Sequence, residues 1–279
     1  ALPTSGERHN GGALGVGHDG KLYWGVGDNG TARGVNADLA SMASKIGRAN
    51  LDGTVPNDNP FFDGAGPNAD YIWARGVRNP FKLAFEPQTG NLWLNVVGEK
   101  YEQVFVLHGG EHAGYSAYEN DQPDGYLAPI IKYRTNGVDS RALTPSGAVR
   151  SAGVLSVTTA VPHGFRSGEK ITLAGITDAS FNGDVYVAST PSATTFTASQ
   201  AGLDAASGSG TAATQAIGGC LVGGTFYDAT QFPAEYFDNY FFADWNSGDI
   251  TRVVLSAPET VARVDPCTAS ACDRIFHIF

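Results

Sequence analysis

A single histidine opens the first stretch of the chain in which residue types and spacing could support chemistry. This stretch, HNGGALGVGHDGKLYWGVGDNG (residues 9–30), begins at His9, continues as two alternating apolar segments around a Gly turn, and ends on Asp28 and two turn residues. An imidazole changes protonation near neutral pH, so His9 could accept a proton from a substrate. Taken alone, His9 is more typical of an ordinary loop histidine.

An arginine in the motif GVRNPF is the second candidate. Asn79 and Pro80 follow Arg78, and a proline directs the backbone before it out of helical geometry. This pair would end a regular element and orient the arginine side chain. A guanidinium placed this way can stabilise negative charge that develops during a reaction. The alternative is a turn arginine paired with a carboxylate. Arg75, three residues earlier, is expected to be a surface residue.

Acidic residues are spread through two further stretches. Considered alone, the acidic residues of VVGEKYEQV are typical of a solvent-exposed charge cluster at the end of a strand. Asp28, Asp52 and Asp58 lie in a loop-rich stretch where carboxylates could supply a calcium site. Their spacing differs from that of an EF-hand, and Asp is a common turn residue, so turn chemistry is the preferred interpretation.

Composition and charge exclude some classes of function. The chain has 279 residues, 42% of them hydrophobic, and a formal net charge of −10. The negative charge argues against a nucleic-acid partner and against an anionic membrane surface. No apolar run reaches 18 residues, so no membrane span is expected.

Three cysteines leave the redox state open. Cys267 and Cys272 enclose four residues and could form a small disulfide loop, which leaves Cys220 over. Disulfides persist in oxidising compartments, so the pair slightly favours a location outside the cytoplasm.

Repeated hairpins predict an all-β fold. The stretches ALGVGHDGKLYWGVG, KLAFEPQTGNLWLNVVG and YFFADWNSGDITRVVL each read as strand, Gly-containing turn and strand. Similar hairpins separated by long excursions are typical of the repeated sheets of a β-propeller. One short helix is expected over residues 36–49, because Leu39, Met42 and Ile46 fall on one helical face.

Three regions follow one another along the chain. Residues 1–149 and 215–279 share an aromatic, acidic style and are predicted to be two parts of one propeller. Residues 150–214 are rich in Ser, Thr, Ala and Gly, alternate well, and are predicted to form an inserted small β-sandwich or barrel. The insert resembles small β modules of phage tails and other surface proteins, which implies attachment or spacing.

The flanking regions resemble the glucose/sorbosone dehydrogenase family, soluble quinoproteins of the aldose sugar dehydrogenase type. Six stretches match in family order, among them HNGGALGVGHDGKLYWGVGDNG, IWARGVRNPFKLAFEPQTGNLWLNVVGEKYEQV and GGTFYDATQFPAEYFDNYFFADWNSGDITRV. The resemblance implies a six-bladed β-propeller, here incomplete or reduced, that uses pyrroloquinoline quinone (PQQ) and Ca²⁺.

The resemblance also implies site residues. His9 matches the family's general base, and Arg78 matches the arginine that lies over the quinone. The neighbouring glycines would let the backbone pass close to the flat cofactor. The implied cofactor contacts are Arg78, Asn79 and Arg252, and the implied Ca²⁺ ligands are the carbonyls of Gly98 and Glu99, with Glu102 as acidic support.

The sequence leaves two alternative functions from different classes open. The first is a PQQ- and calcium-dependent sugar dehydrogenase that passes hydride from a sugar to the quinone, uses an external electron acceptor and works in the periplasm or at the cell surface. The alternative is a catalytically silent propeller that serves as an extracellular binding or assembly module. Asp228, where the family usually has a cation, favours the alternative. Absent N-terminal blades, or closure through another chain with self-association, are further expectations.

Overall fold

The alternating residues of the first hairpin form two antiparallel strands. In the computed structural model, which describes residues 8–30, 37–65 and 69–266, Leu14 lies opposite Trp24 and Val16 lies opposite Leu22. The chain divides into two units. The first unit comprises residues 1–135 and 218–248, and the second comprises residues 136–217 and 249–279.

The first unit contains two four-stranded antiparallel sheets whose strands follow in chain order. This arrangement is that of propeller blades. The strands of the first sheet are Leu14–Val16 (β1), Leu22–Val26 (β2), Lys45–Ala49 (β3) and Ile72–Arg75 (β4). Those of the second are Pro80–Phe85 (β5), Leu92–Val96 (β6), Tyr101–Leu107 (β7) and Ile131–Arg134 (β8). Thr225–Phe226 (β16) and Tyr240–Ala243 (β17) form a further antiparallel pair.

Apolar side chains fill the space between the two sheets. The first sheet contributes Tyr23, Ile46 and Ala74, and the second contributes Leu94 and Phe105, all of them buried in one cluster. Burial of aromatic and branched side chains on both facing sheets stabilises this stack, at about 25 cal/mol per Å² of apolar surface.

The β16–β17 pair packs on the second sheet through aromatic rings. Trp93 on β6 lies with its ring centroid 5.1 Å from that of Phe226 and 4.8 Å from that of Tyr240. The Tyr240 hydroxyl donates a hydrogen bond of 2.6 Å to Asn95, so the polar end of this buried ring is satisfied.

The second unit contains a closed barrel. Its strands are Ser140–Ser151 (β9), Val154–Thr159 (β10), Lys170–Ala174 (β11), Gly183–Ser192 (β12), Thr195–Ser199 (β13), Ala205–Ser207 (β14) and Thr211–Thr214 (β15). They follow the order β10-β13-β12-β11-β15-β9-β14, and an added β9–β10 pairing closes the ring. The predicted barrel is thereby confirmed, and its core includes Phe165, Phe181 and Phe196. The proposed boundary between residues 149 and 150 falls inside β9.

Further elements complete the described residues. The second unit also holds the hairpin of Ile250–Ala257 (β18) and Thr260–Pro266 (β19). Three short 3₁₀ helices occur in the described part of the chain, at Ala69–Tyr71, Ala179–Phe181 and Ala234–Tyr236. Cys267 and Cys272 lie outside the described residues, and Cys220 is a free, partly buried thiol. None of the helices within those residues is long and apolar enough to cross a membrane.

The predicted helix over residues 36–49 is wrong. Residues 45–49 form β3 in the middle of the first sheet, with Gly47 directly opposite Trp24. Ile46 packs between the two sheets, whereas Met42 belongs to a different cluster with Val26 and Ile72. The residues with helical spacing therefore serve two separate cores, and pairing with β2 and β4 overrides the local pattern.

Position 47 needs a glycine because the indole of Trp24 occupies the space that a side chain would fill. A Cβ at Gly47 would lie 2.3 Å from two atoms of that ring. We expect Gly47→Ala to lower the free energy of unfolding by about 1–3 kcal/mol, measured by urea denaturation. In a Trp24→Leu background, the same substitution should cost clearly less. Equal losses in the two backgrounds would contradict the steric explanation.

Candidate functional site

The register of the first hairpin brings His9 to the end of β2. Pairing of Leu14 with Trp24 and of Val16 with Leu22 places residues whose numbers sum to 38 opposite one another. Continued past β1, the same register puts position 9 opposite position 29, and the Asn29 amide indeed donates a hydrogen bond of 3.3 Å to the His9 carbonyl. Asp28, the next residue, therefore lies beside the imidazole.

His9 and Asp28 form a buried dyad. His9 Nδ1 lies 2.6 Å from Asp28 Oδ1, and their side chains are 14% and 4% exposed. A carboxylate only accepts hydrogen bonds, so Nδ1 carries the proton and Nε2 is the unprotonated nitrogen of the neutral ring. This is the tautomer that a general base requires, with the carboxylate fixing the orientation of the ring.

Asp28 is held as an anion by three donors. Its carboxylate also accepts hydrogen bonds from the Gly30 amide at 2.8 Å and from the Tyr115 hydroxyl at 3.0 Å. Burial alone would raise the pKa of Asp28, but the hydrogen bonds from Gly30, His9 and Tyr115 together lower it below its ordinary value. The dyad therefore keeps a negative partner for the imidazole at neutral pH.

The glycines around His9 make room for backbone. A Cβ at Gly27 would lie 2.2 Å from the His9 carbonyl oxygen and 3.0 Å from that of Arg78, and one at Gly11 would lie 2.0 Å from the Gly25 carbonyl oxygen. The cofactor role expected of the glycines that follow His9 stays a prediction, whereas Gly27 and Gly11 have a structural role. They let three chain segments meet at the end of β2.

Arg78 belongs to the same cluster. Its carbonyl accepts a hydrogen bond of 2.8 Å from the Asp28 amide, and its Nη1 donates one of 3.2 Å to the Val97 carbonyl. Burial, together with the Asp28 charge, raises the pKa of Tyr115 to about 12, while the nearby Arg78 guanidinium opposes this rise. His9, Asp28, Tyr115 and Arg78 are thus neighbours.

Two buried polar atoms beside this cluster lack partners. Arg78 Nε and Asn79 Oδ1 are buried and make no hydrogen bond to the residues that the structure describes. Asn79 is fixed through its backbone, since its carbonyl accepts the Val97 amide at 3.0 Å. Buried polar groups are normally satisfied, so this donor and this acceptor are suited to a polar ligand.

The three predicted calcium ligands lie on one turn and the strand that follows it. Glu102 is fully buried on β7, and its Oε2 accepts the Leu221 amide at 2.8 Å, while Oε1 has no partner within the described ranges. The Glu99 carbonyl accepts a hydrogen bond of 3.2 Å from the Thr135 hydroxyl, and Glu119 accepts the backbone amides of Glu99 and Lys100. The turn is therefore held by protein contacts.

A second buried carboxylate accompanies Glu102. Burial, with a contribution from the nearby Asp244 charge, raises the pKa of Glu102 to about 7, although the Leu221 and Gly98 amides and the Arg78 charge oppose the rise. Asp244 accepts hydrogen bonds from the Tyr133 hydroxyl at 2.7 Å and the Cys220 amide at 2.8 Å. No group of three or more His, Cys, Asp and Glu residues that could hold a metal occurs in the part of the chain described here.

Sequence reasoning missed some members of the site. It also predicted that Arg252 contacts the cofactor. Arg252 lies on β18, in the second unit. Asp28 could have been found from the hairpin register, whereas Tyr115 and Asp244 depend on contacts across 87 and 111 residues. Asp52 and Asp58 bond to Thr54 and Arg48, which agrees with the preferred turn and structural roles.

Part of the chain is similar in sequence to known proteins. Residues 1–136 match the family model described as Glucose / Sorbosone dehydrogenase. Residues 1–136 belong to the glucose/sorbosone dehydrogenase family. The aldose sugar dehydrogenase YliI of Escherichia coli (strain K12) is 33% identical over 108 residues, which cover 38% of this chain and 29% of that protein. Quinoprotein glucose dehydrogenase B of Acinetobacter calcoaceticus is 31% identical over 147 residues, 45% of this chain and 30% of that protein.

Two solved dehydrogenase structures show the same fold. A glucose dehydrogenase superposes with a TM-score of 0.58 at 18% identity and covers 94% of this chain and 55% of that one. The soluble aldose sugar dehydrogenase of E. coli in the apo form gives a TM-score of 0.53 at 18% identity, with 92% and 52% covered. The predicted family and propeller fold are confirmed. The chain spans about half of these structures and less than a third of the two curated relatives.

The Asp28 carboxylate should stabilise the folded chain in a pH-dependent way. Its pKa is lower in the folded state than its ordinary value of 3.8, so its contribution is present above that value and lost as the pH falls through the folded pKa. We expect Asp28→Asn to lower the free energy of unfolding at pH 7 by about 1–3 kcal/mol. Urea denaturation should show the difference from wild type shrinking below pH 4, whereas exposed Asp121→Asn changes little.

Tyr115 should hold the pKa of Asp28 down. We expect Tyr115→Phe to raise the pKa of Asp28, because one of the three hydrogen bonds to the ionised carboxylate is lost. Carbon-detected NMR titration of the aspartate carboxyl groups measures this directly. Tyr118→Phe, in the same loop, is the matched control. An unchanged Asp28 titration in Tyr115→Phe would show that the 3.0 Å contact has no energetic weight.

Proposed function

We propose that the chain is part of a PQQ- and calcium-dependent sugar dehydrogenase. The observation that carries the proposal is the buried His9–Asp28 dyad, 2.6 Å between Nδ1 and Oδ1, with Arg78 beside it. The membership of residues 1–136 in the glucose/sorbosone dehydrogenase family supports the same function, as do the activities for which the relatives are named.

Oxidation of a sugar hydroxyl removes a proton from oxygen and a hydride from carbon. In the proposed reaction, His9 Nε2 accepts the hydroxyl proton, and the ring becomes an imidazolium. Asp28, held ionised by Gly30 and Tyr115, stabilises that positive charge and keeps the Nδ1 proton in place. PQQ, when bound, supplies the quinone that accepts the hydride, and Ca²⁺ supplies Lewis acidity.

This chain has residues that could hold both PQQ and Ca²⁺. Arg78 has a buried Nε donor without a partner and Asn79 a buried acceptor, so the two could hold the polar edge of a planar quinone. Arg78 would also offset negative charge there. Glu102 Oε1 is a buried carboxylate oxygen without a partner, which is the kind of ligand that Ca²⁺ prefers. The Gly98 and Glu99 carbonyls would complete the protein ligands, since a carbonyl has a second lone pair.

Further parts of the proposal rest on the family resemblance. An aldose is the substrate, an external molecule accepts the electrons, and the location is outside the cytoplasm. The cofactor contact expected of Arg252 stays a prediction. The silent binding module is the competing function, and it would leave the His9–Asp28 dyad as a purely structural contact.

Reconstitution tests the proposal. The protein is mixed with PQQ and Ca²⁺, PQQ binding is followed by fluorescence, and reduction of an artificial electron acceptor is followed with several aldoses. We expect activity in the wild type and a fall in kcat of about 10²–10⁴-fold in His9→Ala, because general-base catalysis is lost. PQQ affinity should change far less.

The matched control is His18→Ala, which removes an exposed imidazole at the opposite end of the β1–β2 hairpin. Its activity should equal that of the wild type. PQQ binding without turnover of any aldose would contradict the dehydrogenase and favour the silent module. Absence of PQQ binding would contradict the cofactor assignment itself.

A further inference from the structure

Three basic residues lie side by side on neighbouring segments of the first unit, and none of them is among the proposed cofactor contacts. Lys45 on β3 and Arg75 on β4 are directly opposed in the antiparallel register, and Arg75 forms a parallel bridge with His112. Like charges at directly opposed strand positions repel each other. A row of this kind therefore needs a compensating negative charge.

The described acids near this row are occupied or exposed. Asp38 is exposed and acts on Lys45 only through its charge. The Glu111 carboxylate accepts the His108 amide at 2.6 Å and lies 3.5 Å from the His108 ring, and Asp70 accepts the amides of residues 63 and 64. Neither makes an ion pair with Arg75 within the described ranges.

Arg75 is not the surface residue that the sequence suggested. It is half-buried, its guanidinium carbon lies 5.2 Å from the centroid of the Phe61 ring, and its Nε is buried without a hydrogen-bond partner in the described structure. Ser44, next to Lys45, is fully buried and its Oγ also lacks a partner among the described residues. Buried donors without partners indicate a ligand, an ion or water at that position.

His112 offers a further donor. Its Nδ1 accepts the Gly114 amide at 3.0 Å, so the neutral ring carries its proton on Nε2. Burial, together with the charges of Arg75 and Lys45, lowers the pKa of His112 to about 4. Tyr126 packs edge-on against the ring at 5.0 Å and limits its movement.

We propose that Lys45, Arg75 and His112 form a binding site for a small anion that carries a carboxylate or phosphate group. Arg75 offers a planar fork of donors for such a group, and His112 Nε2–H adds a neutral donor. Lys45, whose ammonium donates to the Ala43 carbonyl at 2.8 Å, contributes charge from the buried side. The site goes beyond the proposed dehydrogenase function and needs neither PQQ nor Ca²⁺.

The test uses the full chain without added cofactor. The histidine ring resonances are followed by NMR at pH 7 while inorganic phosphate is added, and His112→Gln identifies the His112 signal. We expect a saturable shift at His112 with a Kd of about 1 mM or tighter, and a rise in the pKa of His112 by about one unit at saturation. A second arm with gluconate distinguishes a sugar carboxylate from phosphate.

Arg75→Gln should weaken binding by about tenfold or more. Lys82→Gln removes the same charge from an exposed position on β5 and should leave the affinity within twofold, which separates a specific site from general electrostatics. If Arg75→Gln does not fold, calorimetric titration of His112→Gln gives the comparison, with the same loss expected. No shift at His112 with either anion, or equal losses in Arg75→Gln and Lys82→Gln, overturns the proposal.

Discussion

The candidate site depends on the absence of a side chain at the end of β2. At Gly27, a Cβ would lie 2.2 Å from the His9 carbonyl oxygen, a distance that real contacts do not show. Without it, the segment before β1 and the segment before β5 both bond to the end of β2, through the Asn29 and Asp28 amides. The imidazole of His9 and the guanidinium of Arg78 therefore come from separate segments yet share one rigid, hydrogen-bonded support, which is what a preorganised site requires.

Much of the fold and part of the site follow from local sequence. Alternating residues around a Gly turn define the first hairpin, and its register alone is enough to place Asp28 beside His9. The same alternation predicts strands in the second unit, where β9–β10, β11–β12 and β12–β13 pair as consecutive strands, although β9 also pairs with the distant β14 and β15. These features are predictable because hairpin pairing is a short-range property of the chain.

Other features depend on packing that one sequence does not reveal. Met42 and Ile46 have helical spacing, but the space beside Trp24 accepts only Gly47, and that fit decides in favour of a strand. Tyr115 reaches Asp28 through a loop that runs alongside β4, and no local pattern marks this contact. The sequence predicts Arg75 to be a surface residue, whereas the structure places it between Lys45 and His112.

Burial has opposite outcomes at the two carboxylates near Arg78. Asp28 is buried, but three donors compensate for its desolvation, and its pKa falls. Glu102 is buried with one amide on Oε2 and a neighbouring Asp244 charge, and its pKa rises to about 7. Burial together with the hydrogen bonds and charges around each carboxylate therefore decides the direction in which its pKa moves. In this arrangement Asp28 is the carboxylate held ionised beside the imidazole, whereas a further positive charge close to Glu102, in addition to Arg78, would favour its anionic form.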